Sequence, residues 1–152
     1  MLYVYKCKIT NIVDGDTIDV DIDLGFSTWL HNERIRIAGI DCPEIRTRDP
    51  IEKVFGNLAK ERVEELLPIG EIFYLKSIEY RRGSFGRILG DILFDLEGKR
   101  TLTNILLEER HAVVWQPNNR PLMEQQEIEN RNWLLEFAPN REEIKERVST
   151  YL

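Results

Sequence analysis

Hydrophobic and polar positions alternate most cleanly over residues 17–24, where Ile18, Val20, Ile22 and Leu24 share one parity and Asp19, Asp21 and Asp23 the other. A period of two marks a strand with one face in a core and one in water. With the alternation upstream of it, this predicts two strands over residues 2–24, joined at Asp14-Gly15-Asp16. Asp16 has the parity of the apolar face, so it is expected on the core side at the mouth of the second strand. Residues 25–32 read as a long hairpin connection. Arg34–Ile40 reads as a third strand ended by Asp41-Cys42-Pro43, since proline lacks a backbone donor and restricts its predecessor. Asp41 is thereby placed at a strand terminus. Residues 71–80 and 87–94 form a further strand pair, with 81–86 as the turn.

The period lengthens at residues 51–67, where Val54, Leu58, Ala59, Val63, Leu66 and Leu67 lie at helical spacing before Pro68-Ile69-Gly70 stops the run. Further helices are predicted over 101–109, 121–137 and 142–151, with Glu124, Glu127, Glu129 and Glu136 facing water. Five strands with a helix after the third and helices at the end imply an α+β chain. Its expected architecture is a five-stranded Greek-key barrel of the OB type, carrying about three packed helices and a short C-terminal helix. The expectation is one domain over residues 1–152, with 139–152 as a helical extension and no internal repeat.

Composition narrows the class without changing this picture. At 152 residues, 42% hydrophobic and 32% charged, the chain is long enough to bury a core and too apolar for a disordered segment. Its net charge of −6 excludes a protein that coats nucleic acid through a broad basic face, and residues 1–100 and 101–152 are each net acidic. Cations are local instead: Arg34, Arg36, Arg46 and Arg48 crowd one window, and Arg81, Arg82 and Arg87 another. Cys7 and Cys42 have no CxxC spacing, which argues against a disulfide framework or a zinc site, and Cys7 reads as a small core residue. No apolar run approaches a membrane span and the start does not read as a signal peptide, so the expected address is the cytoplasm, with no membrane partner.

Chemistry concentrates in Val13-Asp14-Gly15-Asp16-Thr17, in Arg36 to Glu44, and in Phe85-Gly86-Arg87. Asp16 and Asp41 are carboxylates at strand ends, suited to a hard divalent cation that takes oxygen ligands and leaves positions for water and substrate. An EF-hand loop is excluded, because its glycine and closing glutamate are missing and the acidic run alternates as a strand does. Arg36, inside Ile35-Arg36-Ile37-Ala38-Gly39-Ile40, needs a partner: an acidic side chain in a structural ion pair, or a ligand phosphate. Arg87 follows a glycine in a turn. Two arginines supply the bidentate donors that stabilise charge on a phosphorus centre under attack. Glu44, just after Pro43, can serve as a general base toward water, or simply as a helix-entry residue.

These segments, with Gln116-Pro117-Asn118-Asn119, are in register with those of the staphylococcal nuclease-like (thermonuclease) family, which the chain resembles from about residue 4 to about residue 135. The flavour is that of small phage and bacterial members with a long connection between the second and third strands. The resemblance implies an OB-fold barrel and a calcium-dependent nuclease, a metal-dependent phosphodiesterase acting on DNA and RNA. Single-stranded or locally open substrate is preferred. Carried over by position, Asp16, Asp41 and the backbone carbonyl of Cys42 are calcium ligands, with magnesium or manganese as alternatives, and Asp14 supports the metal through those ligands. Arg36 and Arg87 bind the scissile phosphate and Glu44 is the base or water-orienting residue. No oligomer is implied, and a monomer is assumed.

The chain departs from the family around the substrate. Cys42 stands where threonine is usual, and a lysine and two tyrosines that grip phosphate and base are matched only in outline by Ser84, Phe85, Val113 and Trp115. Phe85 and Trp115 can still stack on a base. A core position for Trp115 is the competing reading, and Trp29 is open between substrate contact and capping the barrel. The alternative function is a non-catalytic OB module that binds single-stranded nucleic acid or a protein. Such modules typically lose the acidic ligands or the arginines, which this chain retains.

Overall fold

The computed structural model describes residues 3–80 and 87–152, and of Tyr80 and Arg87 the backbone alone. Strand β1 (Val4–Asp14) pairs antiparallel with β2 (Thr17–Asp23), and β2 with β3 (Trp29–Ile37). After β4 (Ile40–Asp41) and helix α1 (Pro50–Leu66) come β5 (Ile72–Tyr80) and β6 (Arg87–Leu93). Strand β6 runs parallel to β3, and β5 returns to β1, closing a barrel in the order β1-β2-β3-β6-β5. This is the predicted five-stranded OB topology, and closure leaves those strands without long open edges. Helix α2 (Leu102–Glu108), strand β7 (Val113–Val114) and helices α3 (Arg120–Phe137) and α4 (Arg141–Ser149) complete the chain.

The β2 alternation holds as far as Ile22: Ile18, Val20 and Ile22 enter the barrel core with Ile9, Ile35, Leu75 and Ile92. Leu24 does not follow, being 41% exposed. The connection after it is also shorter than predicted. Leu24 donates to the Thr28 carbonyl at 2.8 Å and Thr28 back to Gly25 at 2.9 Å, so the chain reverses tightly and β3 starts at Trp29 instead of Arg34. Polar His31, Asn32 and Glu33 hide that strand, and a register shift opposite Val20 and Ile22, with Asn32 at φ 55°, breaks its period. Trp29 pairs with Asp23, at the end of the hairpin remote from Thr17.

The third strand also ends early. Gly39 takes φ 81°, a left-handed conformation that turns the chain out of the barrel, and Ile40–Asp41 pairs with Val113–Val114 as a separate ribbon. Asp41 therefore ends a strand, though not the predicted one.

Helix α1 is capped by Asp49, whose carboxylate accepts from the amides of Ile51 (3.0 Å) and Glu52 (3.3 Å), with Pro50 opening the first turn. It buries two faces. Ala59 and Val63 join the barrel core, while Val54, Phe55 and Leu58 pack with Leu134 and Ala138 from the α3 end and with Ile144 and Val148 of α4. Glu127, expected in water, is instead partly buried beneath α3. Among the described residues no helix is long and apolar enough to cross a membrane.

Candidate active site

The turn Gly15-Asp16 sits where β1, β3, β4 and α1 meet. Asp14 shapes it by accepting from the Asp16 amide at 3.0 Å. The Asp16 carbonyl takes the Ile37 amide at 2.8 Å, and its carboxylate takes the Cys42 amide at 2.9 Å and the Thr17 hydroxyl at 3.2 Å. One aspartate thus ties the hairpin to the end of β3 and to the residue after β4. A Cβ on Gly15 would lie 2.8 Å from Ala59 Cβ and 2.9 Å from Cys42 Sγ, so only glycine lets this turn press against α1. Gly15→Ala is expected to lower stability by about 1–3 kcal/mol, measured as a shift in the denaturation midpoint.

Arg36 answers the question left open by its apolar strand. Its Nη1 lies 3.1 Å from Asp16 Oδ2 and its Nη2 3.4 Å from Asp41 Oδ1, so one guanidinium spans the two aspartates expected to hold metal. Burial and the Asp14 carboxylate push the Asp16 acid up to about 7, outweighing the opposing pull of Arg36. Burial likewise raises Asp41, against Arg36 and against Arg120 at the start of α3. Glu44 is raised by partial burial first and then by Asp14, Asp41 and Glu52. The cluster holds more negative charge than its arginine neutralises.

Asp14, Asp16, Arg36, Asp41, Cys42 and Glu44 are thus brought to one place. Arg87 is placed by backbone alone, at the start of β6 with its Cα in register with Arg34. Ser84 and Phe85 lie outside the described residues. Trp115 is not a core aromatic: it is 43% exposed just beyond β7, its amide donating to the Gly39 carbonyl at 2.9 Å.

Further residues shape the site, and sequence reasoning passed over them. Glu52, in the first turn of α1, accepts from the Glu44 amide at 3.4 Å and the Thr47 hydroxyl at 3.2 Å, holding the loop that carries Glu44. Asp49-Pro50-Ile51-Glu52 has capping-box spacing, which could have flagged it. Gly56, one turn on, lies beneath the same loop: a Cβ there would meet the Pro43 carbonyl oxygen at 2.8 Å and that of Glu44 at 2.9 Å. Behind Asp41, Glu127, Asn130, Arg131 and His111 line a cavity of about 10 Å³, the size of a single water.

The donor set fits a hard divalent cation: carboxylate oxygens at the ends of strands, each raised in pKa first by burial and further by the Asp14 carboxylate. Among the described residues no group of three or more His, Cys, Asp or Glu side chains is arranged to hold a metal ion, so any cation here would rest on two carboxylates and on backbone or water oxygens.

The sequence model described as Staphylococcal nuclease homologue matches residues 34–133. The chain belongs to the staphylococcal nuclease family. A relative named micrococcal nuclease, from Shigella flexneri, is 31% identical over 104 residues, covering 66% of this chain and 51% of that protein. The SPbeta prophage-derived endonuclease YokF of Bacillus subtilis (strain 168) is 31% identical over 110 residues, 71% of this chain and 34% of that one. The chain therefore spans about half and about a third of the length of these family members. The family match begins after the Asp14-Gly15-Asp16 turn. It is the pairing of β2 with β3 that brings this turn to Arg36 and Cys42.

Proposed function

We propose that this chain is a metal-dependent nuclease that hydrolyses phosphodiester bonds of DNA or RNA. The observation that carries it is the Arg36 guanidinium seated between Asp16 and Asp41, with Glu44 on the adjoining loop. Asp16, Asp41 and the Cys42 carbonyl would hold Ca²⁺, with Mg²⁺ or Mn²⁺ as alternatives. Burial pushes the Cys42 thiol well above its usual range, so Cys42 can offer its carbonyl but no thiolate. When bound, the cation supplies positive charge against the phosphoryl oxygens.

The protein's own groups do the rest. Arg36, and Arg87 from the start of β6, bind the scissile phosphate and stabilise charge as it develops on the equatorial oxygens. The Glu44 carboxylate takes a proton from the attacking water as the water oxygen bonds to phosphorus, and the ester P–O bond breaks with the alkoxide leaving and taking a proton from solvent. Asp14 holds the turn that presents Asp16. The exposed ring of Trp115 supports a single-stranded or locally open substrate, since stacking needs an unpaired base, and the chain is taken to act as a monomer.

The test is cleavage of denatured DNA by the purified chain with calcium, magnesium or manganese and then with excess chelator. Metal-dependent cleavage abolished by chelator is the expected result. Binding of single strands without cleavage under any divalent ion would replace this reading with the non-catalytic module.

A further inference from the structure

We infer that the groove between the hairpin turn and the Glu44 loop is a second phosphate subsite, which takes the backbone of the substrate strand beyond the cleaved bond through Arg46. The inference rests on the nuclease reading above. The groove has a volume of about 520 Å³ and is lined by Val13, Asp14, Thr17, Arg34, Glu44, Ile45 and Arg46. Asp14 and Glu44 belong both to it and to the acidic cluster, so a strand held at the cluster has a continuous path into it.

The two arginines on its walls differ. Arg34 is pinned by Asp19, with Nε to Oδ1 at 2.9 Å and Nη2 to Oδ2 at 3.2 Å, and most of its charge is spent there. Its Nη1 donors remain for a ligand. Arg46 is exposed and has no ion-pair or hydrogen-bond partner among the described residues. A solvated arginine is ordinary on a basic surface. On a chain of net charge −6, one held open on a loop two residues past the proposed base is suited to a polyanion. The side chain is kept within reach of the site because its loop is tied at both ends, by Glu52 to Glu44 and Thr47 and by Asp49 to α1. Sequence-independent phosphate contact of this kind sets register on the strand without choosing bases.

The test uses Glu44→Gln protein with calcium, so that binding of a labelled short single-stranded DNA is read by fluorescence anisotropy against salt. Adding Arg46→Ala should make the log–log salt dependence shallower by about 0.7, the value for one contacted phosphate on a single strand. Arg46→Lys should keep the slope, and Arg48→Ala, exposed but outside the groove lining, should leave it unchanged. In the otherwise intact enzyme, Arg46→Ala should lower kcat/KM on the oligonucleotide roughly tenfold more than on a nitrophenyl ester with a single phosphodiester. An unchanged slope, or equal losses on both substrates, overturns the subsite. Wild-type protein that cleaves neither substrate overturns the nuclease reading alone, and the binding arm still decides the groove.

Discussion

Glu44→Gln is expected to slow the proposed cleavage by about 10²–10⁴-fold, the range over which a positioned general base contributes. The amide keeps the size of the side chain and its place on a loop held from behind, so the folded state and the binding of single strands persist. What goes is the proton acceptor. The carboxylate acts as a base only when ionised, and in the metal-free protein it sits above its ordinary range, through partial burial and then through Asp14, Asp41 and Glu52. Activity accordingly falls as pH drops through the Glu44 pKa, and this acid limb disappears from the residual kcat/KM profile of Glu44→Gln. A variant that retains both its rate and its acid limb removes Glu44 from the chemistry.

Gly56→Ala is expected to damage the same proposed site without touching substrate. In a free-standing helix the change would stabilise by about 1 kcal/mol, alanine being the better helix former. Here the added methyl would meet backbone carbonyl oxygens of Pro43 and Glu44 at 2.8 and 2.9 Å, atoms that cannot rotate away. Overpacking of this kind costs about 1–3 kcal/mol, so the expected net effect is a loss of stability. The loop yields before the helix does, and a displacement of about 1 Å in a catalytic group costs on the order of 100-fold in rate. Denaturation midpoint and kcat/KM are expected to fall together. A stabilised variant with normal turnover would mean that the contact is idle.

How much of this was legible beforehand depends on whether the signal was local. The β2 alternation carried Asp16 to the core side correctly, because the parity of a strand is written in consecutive residues. The start of β3 was not legible: His31, Asn32 and Glu33 have no apolar period, and their pairing is enforced by β2 across the hairpin. The separate ribbon of β4 and β7 depends on a left-handed glycine and on a partner more than seventy residues away. Arg36 could be narrowed to an ion pair or a phosphate contact, and only the folded chain seats it between Asp16 and Asp41. Gly56 gave no warning at all, since an isolated glycine in a helical run reads as a minor propensity cost.

Helix α1, which backs the loop carrying Glu44, turns Lys53, Glu61, Glu64 and Glu65 to water and is packed on its other sides. One of its faces closes the barrel and the other closes the cluster formed with α3 and α4. Opening it therefore forfeits both cores at once, which places it among the elements whose local unfolding free energy approaches the global value. The C-terminal helices, far from Glu44 in sequence, thus act as a mechanical brace: Leu134, Ile144 and Val148 press on the helix that forms the wall behind the Glu44 loop.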